Sequence, residues 1–89
     1  MSENSHYSGR QIAAGRTLVG LSQGELAKSA NVSIATLRRM ESAAGNAPGM
    51  PNNVRAVVAA LEEAGVVFLD PNGGGPGVRL SSSGGGDDS

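Results

Sequence analysis

Apolar and polar positions change their period once along this chain, and the change divides it. Val54, Val57, Val58 and Leu61 recur at helical spacing and predict a helix from Asn52 or Asn53 to Ala64, closed by Gly65. Earlier, Ile12, Leu18 and Val19, with the small Ala13, Ala14 and Gly15, give one apolar side to a helix running from Ser8 to about Val19, where Gly20 ends it. Gly15 costs about 1 kcal/mol relative to Ala in such a helix, so a close approach of neighbouring helices is expected there. After Gly65 the helical spacing stops. Val66-Val67-Phe68-Leu69 is β-branched and aromatic and reads as a strand; residues 70–76 read as a wide turn, and Gly77-Val-Arg-Leu80 as a strand pairing back.

The stretch from Leu21 to Glu41 holds two further helices, each with its own start signal. Ser22 can cap the first, and Glu25 three residues on completes a capping box, with Leu21 and Leu26 as the hydrophobic staple. Ser8 with Gln11, stapled by Tyr7 and Ile12, and Ser33, stapled by Val32 and Leu37, use the same device. The expected helices are Gln23–Ser29 and Ile34–Ser42. Between them Ser29-Ala30-Asn31 is long enough only for a tight turn, and Asn31 tolerates a left-handed backbone. This spacing describes a helix-turn-helix, whose second helix lies in the DNA major groove.

At about 100° per residue, Leu37 and Met40 point together toward a core. Ala35, Arg38 and Arg39 then lie on the opposite side, flanked by Ile34 and Thr36. An arginine there can bind guanine O6 and N7 with two hydrogen bonds, worth about 1–3 kcal/mol of discrimination. Ile34 and Ala35 suit thymine methyls, and Thr36 or Ser33 a phosphate. Ser22, Gln23 and Gly24 open the preceding helix, where free N–H groups and the helix dipole favour an anion. The plainer reading of Gln23 is a helix-start residue with no partner, and of Arg38 and Arg39 a solvated face.

Ser22-Gln-x-Glu-Leu-Ala, Val32-Ser and Leu37-x-x-Met-Glu41 together resemble the phage-repressor-type helix-turn-helix family, Cro/CI-like or XRE-type, from about Ile12 to Phe68. The resemblance implies a mainly α, four-helix, lambda-repressor-like DNA-binding domain, here with a C-terminal β-hairpin. It implies that residues 34, 35 and 39 face bases and that Gln23 clamps a phosphate. Ile34 and Ala35 depart from the polar residues that phage repressors often carry, which leaves base reading to Arg39. The resemblance also pairs Arg16, late in the first helix, with Glu41, and runs the loop after the third helix beside the DNA backbone. That loop, residues 43–52, has no Lys or Arg, so backbone N–H groups and Asn46 would have to serve, unless it is simply a solvated linker.

Composition changes this picture in three ways. Eighty-nine residues allow one small domain, and a core with one Phe and one Tyr has limited stability, which dimerisation would supplement. The net charge of −1 opposes DNA binding, but residues 1–42 carry +2 and residues 43–89 carry −3, so the motif has the positive half. No cysteine is present, and the single histidine, His6, falls in residues 1–7, which carry no pattern and read as a flexible arm. Thiolate metal sites, His clusters and Ser/His/Asp sets are therefore excluded, and no enzyme, metal or cofactor is expected. Gly73–Gly77 lacks the Gly-Lys-Ser/Thr of a phosphate loop. The apolar runs are too short for a membrane span, and the expected location is cytoplasmic, on the nucleoid.

The layout expected is an arm at 1–7, a DNA-binding domain at 8–65, a hairpin at 66–80 and a disordered acidic tail at 81–89. An isolated hairpin is marginal in water, so it must pack on the fourth helix, join a partner's strands, or both. A homodimer through Val66, Val67, Phe68, Leu69, Val78 and Leu80 follows from that apolar surface and from a free strand edge. The function expected is that of a sequence-specific regulator of double-stranded DNA, by default a repressor. The alternatives are an interaction module that titrates a second regulatory protein, and the antitoxin of a toxin–antitoxin pair.

Overall fold

In the computed structural model, residues 7–43, 45, 47–69 and 76–81 are described. The chain forms α1 (Gly9–Leu18), α2 (Gln23–Ala30), α3 (Ile34–Glu41), α4 (Pro51–Glu63), β1 (Val66–Leu69) and β2 (Gly77–Leu80). Asn46, the 70–75 part of the turn, His6 with the rest of residues 1–6, and residues 82–89 of the tail lie outside the described residues.

The helix starts follow their local chemistry. The Ser8 hydroxyl accepts the Gln11 N–H at 3.0 Å, and Gln11 Oε1 accepts the Ser8 N–H at 2.9 Å. Ser22 and Glu25 exchange the same pair of bonds at 3.0 and 2.8 Å. Each such cap contributes on the order of 1 kcal/mol. Ser33 accepts from Thr36 N–H at 3.0 Å, but the third residue here is Thr36, which receives the Ser33 hydroxyl proton at 2.9 Å. Asn31 ends α2 in the left-handed region at φ 59°, and Gly20 follows α1 at φ 75°. The fourth helix begins at Pro51, before the Asn52 or Asn53 expected. Proline at the first helical position has no N–H to lose and a φ already set for the helix.

Ile12, Leu26, Leu37, Met40, Val57 and Leu61 are fully buried and join all four helices in one core. Burying each such side chain stabilises the fold by about 1.5–3 kcal/mol. The hairpin pairs antiparallel, Val66 with Leu80 and Phe68 with Val78, and Val66 is buried in the same core. It packs on both α1 and α4. The close approach expected at Gly15 is made to Val66 and Leu61, because a Cβ there would lie 3.2 and 3.5 Å from their side chains. Gly9 is tighter still. A Cβ would fall 2.0 Å from the Met40 carbonyl oxygen and 2.5 Å from that of Ala43, so the start of α1 lies directly on the end of α3.

Tyr7 belongs to the fold and not to an arm. Its ring meets Phe68 edge-on with centroids 5.2 Å apart, and its carbonyl accepts the Ala47 N–H at 2.9 Å. The aromatic pair gives the hairpin a contact with the chain's beginning, worth about 0.5–1.5 kcal/mol beyond area burial.

Candidate nucleic-acid interface

The start of α2 and the first turn of α3 form one surface. A Cβ placed on Gly24 would lie 3.9 Å from Ile34 Cδ1, which puts the two helix starts side by side. On that surface Ser22, Ser33 and Ala35 are exposed and Gln23 and Thr36 half-buried, while Ile34 is 39% exposed. Arg38 and Arg39 are exposed, whereas Leu37 and Met40 are buried, as the helical angles require. The side of α3 turned away from the core therefore carries two guanidinium groups.

Glu41, the acidic residue of this helix, is turned inward. Arg16 Nε donates to Glu41 Oε2 at 2.8 Å and Nη2 to Oε1 at 3.0 Å, a two-bond pairing that only a guanidinium can make. The remaining Arg16 nitrogen, Nη1, donates to the Leu21 carbonyl at 2.9 Å. The Arg16 and Glu41 side chains are 20% and 6% exposed. The hydrogen bonds to Glu41 raise the Arg16 pKa above its ordinary value; partial burial opposes this and the charge of Glu41 adds to it. Three elements meet at the pair: α1, α3 and the turn before α2.

Gln23 is not without a partner, which overturns the plainer of its two readings. Its Nε2 donates to Glu41 Oε1 at 3.1 Å, and its Oε1 accepts from Arg38 Nε at 3.4 Å. The Arg39 guanidinium makes no hydrogen bond or ion pair among the described residues, although the Arg39 carbonyl accepts from the Ser42 hydroxyl at 3.1 Å. Glu25, exposed at the start of α2, has its pKa lowered first by the Ser22 N–H and then by the Ser22 hydroxyl.

One functional group was missed by sequence reading. Gln11, 6% exposed, satisfies its capping box with Oε1 and uses Nε2 to reach the hairpin, 3.1 Å from the Gly77 carbonyl oxygen and 3.4 Å from that of Leu69. The signal available was the residue type: a glutamine at this capping position, unlike a glutamate, has an amide group left to donate.

The hairpin residues divide by burial. Val66 is 2% exposed within the single chain and Val67, Phe68 and Val78 are half-buried, while Leu69 and Leu80 are 38% and 50% exposed. Leu18 is also exposed, and with Ala13, Ala14, Thr17 and Val78 it lines a shallow apolar groove between α1 and β2.

Among the described residues no cluster of three or more His, Cys, Asp or Glu could hold a metal ion, and no helix is long and apolar enough to cross a membrane. In comparisons with known proteins, the chain matches no protein-family model and no curated protein sequence.

Proposed function

We propose that this chain is a sequence-specific regulator of double-stranded DNA, of the phage-repressor type (Cro/CI-like, XRE-type), with a lambda-repressor-like helical domain. α3 enters the major groove, and the start of α2 lies against the backbone. One observation carries the reading: α3 presents Arg38 and Arg39 outward beside the start of α2 while its acidic residue, Glu41, is turned into the protein. Arg39, with all its donors available among the described residues, reads guanine, and Ile34 and Ala35 meet thymine methyls. The Ser22 hydroxyl and the backbone N–H groups of Gln23 and Gly24 lie at a helix start, where a phosphate is favoured.

Repression is the mode proposed, since a bound pair of subunits would exclude polymerase from a promoter. Selection from a pool of random duplexes tests the reading. A defined, two-fold symmetric sequence should be enriched by the intact protein and not by Arg39→Ala, whereas absence of any enrichment by the intact protein would refute it. The exposed Leu18 and Leu80 beside the α1–β2 groove favour a second reading, an interaction module that titrates another regulator. Such a module would enrich no duplex.

A further inference from the structure

Three contacts lead outward from Arg16, to Glu41, then Gln23, then Arg38, and their order carries information. A carboxylate can only accept hydrogen bonds, so Glu41 requires the nitrogen end of the Gln23 amide to face it. The carbonyl end, Oε1, is thereby fixed toward Arg38, whose Nε lies 3.4 Å away. With Oε1 toward the cation and one Nε2 proton given to Glu41, the Gln23 amide keeps a single N–H to donate. Arg38, held through Nε alone, keeps four further N–H bonds, which have no partner among the described residues.

From this we infer that Gln23 is a positioning residue for Arg38: Glu41 sets the direction of its amide, and Arg38 meets the DNA phosphate at the start of α2. The inference rests on the DNA-binding reading for its consequence and on the hydrogen bonds above for its geometry. It reassigns the phosphate contact from the glutamine to the arginine. It also gives the Arg16–Glu41 pair a second task beside joining α1 to α3, because the buried carboxylate determines how an exposed cation is held.

The test is a double-mutant cycle on Gln23→Met and Arg38→Ala, with a mixed-sequence duplex of about two helical turns (~20 bp) as probe. Loss of one phosphate contact lowers the slope of log affinity against log salt by about 0.9. Each single variant should show that loss, and the double variant should lose no more than Arg38→Ala alone. A double variant losing about 1.8 would make Gln23 an independent phosphate donor and overturn the proposal. So would a Gln23→Met variant with unchanged slope. A second readout needs no DNA: the Arg38 Nε–Hε NMR signal of the free protein should shift and exchange faster with water in Gln23→Met, and stay unchanged in Arg39→Ala. An Arg38 signal indifferent to Gln23→Met overturns the proposed contact. If the intact protein bound no duplex, the DNA-binding reading would fail and take the phosphate role with it. The NMR signal distinguishes that failure from failure of the contact itself.

Discussion

The Gln11 side-chain nitrogen lies 3.1 Å from the carbonyl oxygen of Gly77, sixty-six residues further along the chain. With its second bond, to the Leu69 carbonyl, this amide joins both strands of the hairpin to the first turn of α1. The same side chain caps that helix through its other terminal atom. Gln11→Glu preserves the cap but sets a buried carboxylate against two carbonyl oxygens. Leaving such groups unpaired costs about 1–3 kcal/mol, and more when one is charged. Urea denaturation at pH 7 should show the variant less stable by at least about 2 kcal/mol. At acidic pH the introduced carboxyl gains a proton to donate, so the deficit should narrow. A variant as stable as wild type at pH 7 would mean that the hairpin is held without this amide.

Arg16→Ala should cost about 3–5 kcal/mol, because the Glu41 side chain left behind is 6% exposed and has no counterion, and Glu41→Ala should cost less, because the Arg16 side chain left behind is 20% exposed. Small domains have only about 5–15 kcal/mol of stability in total, so both variants should melt below wild type, Arg16→Ala the further. Arg16→Lys should rescue little, since an ammonium cannot supply two parallel bonds to Glu41 together with one to the Leu21 carbonyl. Thermal melting followed by circular dichroism measures all three. Melting of either alanine variant within a degree or two of wild type would remove the pair from the list of fold determinants.

The parts of this fold that were legible in the sequence are those set by neighbours three or four residues apart. Ser8, Ser22, Ser33 and Asn31 mark helix ends through bonds within one turn, and the 3.6-residue period placed Arg38 and Arg39 opposite Leu37 and Met40. Less legible were contacts between residues far apart in the chain. Nothing near Tyr7 announces Phe68, and nothing near Gln11 announces Gly77, so the hairpin was set against α4 or a partner when α1 also covers it. Gln23 was legible as a residue at a helix start and not as a link between Glu41 and Arg38, because that depends on how α2 and α3 are packed.

Arg39→Ala should abolish selective DNA binding while leaving the melting temperature close to that of wild type, because the side chain is exposed and makes no bond among the described residues. Arg38→Ala should weaken binding evenly across sequences, as loss of a phosphate contact does. Competition gel shifts against selected and mixed-sequence duplexes separate the two effects. Wild-type affinity of Arg39→Ala for the selected duplex would dismiss Arg39 as the reader of bases.

Glu25 supplies a pH-dependent contribution. The Ser22 N–H pulls its folded-state pKa below the unfolded value, so the stabilisation is complete above the unfolded pKa and is lost as pH falls through the folded one. Glu25→Gln keeps an acceptor in the capping box but loses the charge at the helix start. The variant should therefore melt slightly lower than wild type at pH 7, and the two should converge as pH falls through the lowered Glu25 pKa. A difference undiminished at acid pH would assign the effect to side-chain shape instead of charge.

The final prediction is a two-fold dimer, and the burial of the hairpin decides which residues can join it. Val66 has no surface to offer, being 2% exposed within one chain. Leu80 and Leu69 remain, and Leu18 stands exposed on α1. A two-fold axis brings the same patch of each subunit together, so Leu18, on the rim of a groove lined by Ala13, Ala14 and Val78, and Leu80, on the same face of β2 as Val78, can seat in the partner's groove and receive its leucines in turn. The proposed function favours the same assembly, because two subunits would reach two half-sites about one helical turn (~34 Å) apart. Removing the hairpin would also take Val66 from the core, so substitutions of the exposed leucines are the cleaner probe. Leu18→Glu with Leu80→Glu should leave a folded monomer by sedimentation at micromolar concentration, with affinity for a palindromic duplex falling much further than affinity for mixed sequence. An intact chain that sediments as a monomer and protects a site only when both halves are present would place the association on DNA. A doubly substituted chain that remained dimeric would show that the subunits meet on another face.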